Sequence, residues 1–144
     1  MYTSIVVGTD GSPTADRAVE AAADQARRYQ ATLHVVTAYR SSGSGMASMS
    51  GAELVDGGGE MLARERAEQI GQRAADTWGE GIATEHHALT GSASDAILAT
   101  ANDVGADLIV VGSKGMKGAR RVLGSVPNSV AHGAPCDVLI VKTN

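Results

Sequence analysis

Asp107-Leu108-Ile109-Val110-Val111-Gly112-Ser113-Lys114-Gly115 is the stretch that decides the fold: a continuous apolar run passes without a spacer into a glycine-rich, basic loop. A strand with no polar alternation is buried on both faces, and such strands belong to parallel sheets covered by helices. Ser4-Ile5-Val6-Val7, Thr32-Leu33-His34-Val35-Val36 and Val138-Leu139-Ile140-Val141 have the same character. Ile82 to Leu89 alternates more weakly, with Ile82, Thr84, His86 and Ala88 on one side, and is expected to be an edge-like strand.

Helical stretches separate these runs. Ser12-Pro13 places an N-cap before a proline at the first helical position, where a missing N–H costs nothing. Ala15, Ala18, Val19, Ala22 and Ala26 then fall on one stripe. A second helix is expected from about Glu60 to Trp78, with Ala63, Ala67, Ile70 and Ala74 inward. Ser92-x-x-Asp95 suits a capping box for a third, which carries Ala96, Ile97, Ala101 and Val104 and stops at Gly105. Ser125 can cap a fourth helix of about two turns, ended by Gly133. The stretch 41–59 is rich in Ser, Gly and Met without periodicity and is expected to be a mobile loop flanking a site, or simply disordered. A single domain over residues 1–144 is expected, in the order β-α-β-α-β-α-β-α-β.

Right-handed crossovers leave few arrangements for such a chain. Winding outward from the first strand and returning to its other side gives an α/β fold: an open five-stranded parallel sheet of order 3-2-1-4-5 with helices on both faces. The switch point then lies between the first and fourth strands, where ligands of open α/β sheets bind. The two loops that meet there are both rich in glycine: Gly8-Thr9-Asp10-Gly11-Ser12 and the loop from Gly112.

The second of these runs Gly112-Ser113-Lys114-Gly115-Met116-Lys117-Gly118-Ala119-Arg120-Arg121-Val122-Leu123-Gly124-Ser125 and leads into a helix N-terminus. Glycines allow close backbone approach to an anion, and the amides and dipole at a helix start favour negative charge. Ser113 and Ser125 can donate to phosphate oxygens. Lys114, Lys117, Arg120 and Arg121 form the densest positive patch of a chain whose net charge is −4. The loop has neither the Walker A spacing nor the G-x-G-x-x-G fingerprint, which argues against ordinary P-loop NTPases and nicotinamide or flavin oxidoreductases.

Gly112-x-x-Gly115, a basic spacer and Gly124-Ser125-Val126 together resemble the nucleotide loop of ATP-binding universal stress proteins. Ile5 to Ser12, Asp107 to Gly112 and Pro135 to Val141 resemble other parts of that family's pattern, so the likeness spans the chain outside 41–59. The spacer Met116 to Leu123 is shorter by one residue than the family pattern. The resemblance implies an adenine-nucleotide-binding, Rossmann-like stress-response or signalling module with ATP as ligand and ADP, AMP or cyclic AMP as alternatives. Mg2+ would accompany ATP. Gly112, Ser113, Gly115, Gly124 and Ser125 would hold phosphates. Thr9 and Asp10 would border the nucleotide, with Asp10 on its ribose or base side or, on a plain structural reading, as a turn residue bonding its own backbone. Val36, at the end of the second strand, would meet adenine, and Val126 would line the pocket. A slow ATP hydrolase is the enzymatic alternative, but no candidate base stands out near the loop, so no catalytic residue is assigned.

Composition narrows the class further. Hydrophobic residues make up 43% of the 144, yet aromatics are 3% and Phe is absent, so the core must be Ala, Val, Ile and Leu. The acidic balance gives no reason to expect nucleic acid or an anionic membrane as partner. No apolar stretch suits a membrane span or leader, and the single cysteine, Cys136, fits a reducing cytoplasmic setting and a buried packing role. Met46, Met49 and Met61 read as packing filler, while Glu53 and Asp56 could reach a metal on phosphate only through the 41–59 stretch. His86 and His87 point to opposite faces of their strand and cannot share an ion, so no metal site is expected. The order 3-2-1-4-5 leaves the last strand, Asp137 to Lys142, at an edge with no proline or charge inside its apolar run. A homodimer paired through that strand would close the edge, as universal stress proteins commonly do.

Overall fold

The computed structural model describes residues 1–40, 53–113 and 125–143. Nine elements alternate along the chain: β1 (Ser4–Gly8), α1 (Pro13–Tyr29), β2 (Thr32–Tyr39), α2 (Glu53–Trp78), β3 (Thr84–Thr90), α3 (Ala93–Val104), β4 (Leu108–Gly112), α4 (Val126–Gly133) and β5 (Asp137–Val141). The strands form one parallel sheet of order β3-β2-β1-β4-β5, as the crossover argument expects. β3 lies at one edge and β5 at the other.

Strand alternation divides the core in two. Ile5, Val7, Leu33, Val35 and Val110 pack with Ala18, Val19, Ala22, Ala23 and Ala26 of α1 and Ala74 of α2. Val6, Val36, Ile109 and Val111 pack on the opposite face with Ala96, Ile97 and Ala101 of α3 and Val130 of α4. Alanine on the helices lets their backbones lie close to a sheet of β-branched residues.

The capping readings hold. Ser12 accepts from the Ala15 amide at 3.1 Å, with Pro13 opening α1. Ser92 accepts from Asp95 at 3.2 Å, and Gly105 ends α3 in the left-handed region at φ 63°. Ser125 accepts from Asn128 at 3.4 Å and caps α4.

Several boundaries differ from the sequence reading. α2 starts at Glu53 instead of near Glu60, so the backbone of 53–59 is helical and only part of the expected 41–59 loop can be loop. Gly57-Gly58-Gly59 disfavours helix by about 1 kcal/mol per residue, but a long helix can propagate through such a stretch once its nucleus exists. β2 runs on past Val36 to Tyr39, because Thr37, Ala38 and Tyr39 pair with Ala88, Leu89 and Thr90 of β3, which itself starts at Thr84 instead of Ile82 and ends at Thr90. Residues 41–52 lie outside the described residues. Cys136 is half-buried against the α3–α4 core, and burial, with Asp107 and Asp137 nearby, pushes its thiol pKa up, in keeping with a protonated packing group. No helix among the described residues is long and apolar enough to cross a membrane.

Asp107, just ahead of β4, ties β4 to β1. Its carboxylate accepts from the Thr3 amide (2.9 Å), the Ser4 amide (3.1 Å) and the Thr3 hydroxyl (3.0 Å), while its own amide donates to the Ser4 carbonyl at 3.0 Å. Burial alone would raise the carboxyl pKa, but these donors together hold it below its ordinary value of 3.8. A carboxylate depressed on folding stabilises the native state above its unfolded pKa, and that contribution is lost as pH falls through the folded value. Asp107→Ala should therefore cost about 1–2 kcal/mol at neutral pH. Urea denaturation curves of the variant and wild type should converge as the pH drops below the ordinary carboxylate range.

Candidate functional site

β1 and β4 are neighbours whose following chains diverge, to α1 on one face and toward α4 on the other, and a crevice opens where they part. It encloses about 680 Å³ including the part open to solvent, within the range of small-molecule sites. Val36, Ala38, Ile97, Val111 and Val126 form an apolar floor and wall, and Gly8, Thr9, Asp10, Ser12 and Gly112 form the rim, with Ala93 of α3 and Thr14, Ala15 and Ala18 of α1 closing the sides.

Two glycines make the crevice possible. A Cβ on Gly8 would lie 2.5 Å from Ile97 Cδ1, and one on Gly112 would lie 2.9 Å from Thr143 Cγ2. Side chains there would displace α3 or the segment after β5, so the strand ends stay bare. Register places Val36 opposite Gly8, which is why Val36 borders the crevice although β2 continues.

The polar groups of the rim are oriented by their own backbone. Thr9, only 7% exposed, donates its amide to the Val36 carbonyl at 2.9 Å, and its hydroxyl accepts from Gly11 at 3.0 Å. The Asp10 carboxylate accepts from the Ser12 amide at 2.9 Å, the turn that the plain reading of this residue describes. Gly11 takes φ +82°, and Arg73 of α2 fixes it by donating to its carbonyl at 3.0 Å. Ser113 donates its amide to Val141 at 2.7 Å and accepts through its hydroxyl from the Thr143 amide at 3.2 Å.

A pattern runs through these contacts. The hydroxyls of Thr9, Ser12, Ser113 and Ser125 each accept a backbone N–H, so each keeps its own proton to donate. The α4 N-terminus, whose first residue Val126 lines the crevice, adds the favourable end of a helix dipole. Asp10 is the only charged residue among the described lining residues.

Thr9, Asp10, Val36, Gly112 and Val126 of the expected set thus meet at one crevice, with Ser113 directly after Gly112 and Ser125 capping the adjoining helix. Gly115 and Gly124 lie outside the described residues, as do Lys114, Lys117, Arg120, Arg121 and the side chains of Glu53 and Asp56. Sequence reasoning missed Ile97, Ala93 and Ala38 as lining residues. Only the apolar stripe of α3 hinted at Ile97, because helix-to-crevice contact depends on how α3 crosses the sheet.

An open, doubly wound α/β sheet with a glycine-rimmed crevice at its switch point defines the class, one whose members bind ligands at that point. The sequence pattern of the Universal stress protein family matches residues 1–142, and the chain belongs to that family. It is 35% identical over 145 residues to the universal stress protein Rv1636 of Mycobacterium tuberculosis, covering 99% of this chain and 97% of that protein. Among solved structures, a universal stress protein in complex with cAMP is similar at 37% identity and TM-score 0.75, with 99% of both chains covered. The universal stress protein from Archaeoglobus fulgidus in complex with dAMP is similar at 26% identity and TM-score 0.61, with 98% of both chains covered.

Asp10→Ala separates the two roles open to this carboxylate. A nucleoside contact predicts that nucleotide affinity falls by about ten- to a hundredfold while binding of inorganic phosphate is unchanged, measured by calorimetry. Equal losses for both ligands would mean that Asp10 only shapes the loop.

Proposed function

We propose that this chain is an adenine-nucleotide-binding module of stress response or signalling, with ATP as its leading ligand, working in the cytoplasm as a homodimer. The observation that carries the ligand reading is the crevice at Gly8 and Gly112, where bare backbone and proton-donating hydroxyls stand beside an apolar floor. Adenine suits the floor of Val36, Ala38, Ile97, Val111 and Val126. Asp10 would repel phosphate and so favours the ribose or base side, leaving Ser113, Ser125, the α4 N-terminus and the glycine loop with Gly115 and Gly124 for the phosphates. With ATP bound, Mg2+ would neutralise part of the phosphate charge. Cyclic AMP is a second reading, favoured by the complex of the 37% identical relative.

Calorimetry with ATP, ADP, AMP and cyclic AMP ranks these ligands. Gly124→Val is expected to abolish binding with the circular dichroism spectrum unchanged, since a β-branched side chain blocks the close approach of phosphate. Unchanged affinity in the folded variant would remove phosphate binding from this loop.

The dimer reading rests on β5, an edge strand with Leu139 37% and Ile140 49% exposed. Pairing with the same strand of a second copy about a two-fold axis satisfies its open backbone edge and ends growth at two chains. Val138 packs into the core, so Ile140→Lys is the variant that tests the surface cleanly. Light scattering should give a dimer for the wild type and a folded monomer for Ile140→Lys. A wild-type monomer at high micromolar concentration, with and without nucleotide, would refute the interface.

A further inference from the structure

His86 and His87 do point to opposite faces of β3: His86 contacts Gln72 of α2 at 3.0 Å, while His87 turns to the α3 face. On that face it meets residues far away in sequence. Register sets His34 opposite Glu85 and Val36 opposite His87, which brings His34, Glu85 and His87 together. His34 Nδ1 lies 3.1 Å from His87 Nε2, and the Glu85 carboxylate oxygen lies 3.6 Å and 3.9 Å from those two atoms. Three donor atoms therefore form a small triangle, with Val6 opposite His34 on β1 and Val36 opposite His87 on β2.

The size of that triangle is informative. A tetrahedral ion with ligands at about 2.0–2.1 Å has donor–donor edges of roughly 3.3 Å. A mutual imidazole hydrogen bond alone would explain the 3.1 Å contact, but not the convergence of one carboxylate oxygen on both ring nitrogens. The supports differ usefully: His34 is 6% exposed and fixed by its surroundings, whereas the Glu85 side chain is 63% exposed and free to close the last few tenths of an ångström. Solvent reaches the triangle from the Glu85 side, so a water can complete the coordination.

We propose that His34 Nδ1, His87 Nε2 and a Glu85 carboxylate oxygen bind a divalent transition-metal ion of the zinc type, with water as fourth ligand. Two imidazoles and a carboxylate suit zinc and its neighbours better than magnesium or calcium, which prefer all-oxygen sites. The ion would staple edge strand β3 to β2. The site lies on the same face as Val36 but two residues back along β2, roughly 7 Å toward the N-terminal strand ends. Its three ligand residues are not among those lining the crevice, although His87 stands opposite Val36, and the site does not rest on the nucleotide reading.

The test uses the full chain, stripped with chelator and titrated with zinc chloride by calorimetry, with cobalt absorption as a report on geometry. One zinc per chain, a rise in melting temperature and the intense visible bands of tetrahedral cobalt are expected. His87→Gln should weaken zinc binding by more than about a hundredfold, beyond the cost of losing an outer partner of a ligand, and Glu85→Gln by at least about tenfold. His86→Gln and Cys136→Ser should bind as wild type. Glu85 is exposed, so its variant keeps the test valid even if His87→Gln folds poorly, as circular dichroism of the metal-free proteins will show. Absence of zinc binding to the folded wild type, or unchanged binding in Glu85→Gln, or loss of binding in Cys136→Ser, would overturn the site.

Discussion

β1 must pair with β4 at one register, and the Asp107 carboxylate enforces it by accepting from Thr3 and Ser4 at the start of β1. Parallel strands carry side chains with a period of two, so a slip of one residue would exchange the two faces of the slipped strand. If β1 slipped against β4, Val6 would turn toward α1 and Val7 toward α3, while β4 kept its facing. The same register pairs Val7 with Val110, so Gly8 and Gly112 lie within one residue of each other at the strand ends. The crevice exists because two strands from opposite halves of the chain end in glycines one residue apart in height.

The chemistry of that crevice is zoned by groups that serve the backbone first. Each hydroxyl is oriented by an N–H it accepts, and each turn is closed before any ligand arrives. Donors arranged in this way need little reordering on binding, which lowers the entropic cost of association. Asp10 is oriented by the same means but carries a negative charge, so the rim combines neutral hydroxyls with one carboxylate.

Much of this architecture was legible in the sequence, because local rules wrote it. Ser12-Pro13, Ser92 and Gly105 mark helix ends through their own backbone chemistry, and unbroken valine and isoleucine runs mark strands buried on both faces. The crossover rule then left the order β3-β2-β1-β4-β5. Where cooperation between residues decided the outcome, sequence reading fell short. Three glycines concealed the first turns of α2, whose stability comes from the helix beyond them. Thr9, Asp10 and Gly112 were legible as candidate lining residues because they sit at or just past the strand ends, but Ile97 and Ala38 join the crevice only through packing. The convergence of His34 with Glu85 and His87 was invisible for a related reason: it depends on the register of β2 against β3, which no local pattern encodes.

The alanine-lined interface of α1 with the sheet has a further consequence. Ala18, Ala22, Ala23 and Ala26 are 0–1% exposed and already present the smallest side chain a stable helix favours. Truncation, the usual way to weaken a core, has little left to remove there. Enlargement is the vulnerable direction, since added methylenes push helix from sheet at a cost of about 1–3 kcal/mol each time. Sequence drift in this interior is therefore confined by a ceiling on volume, and because Ala15 and Ala18 also line the crevice, the same ceiling guards the space left for a ligand.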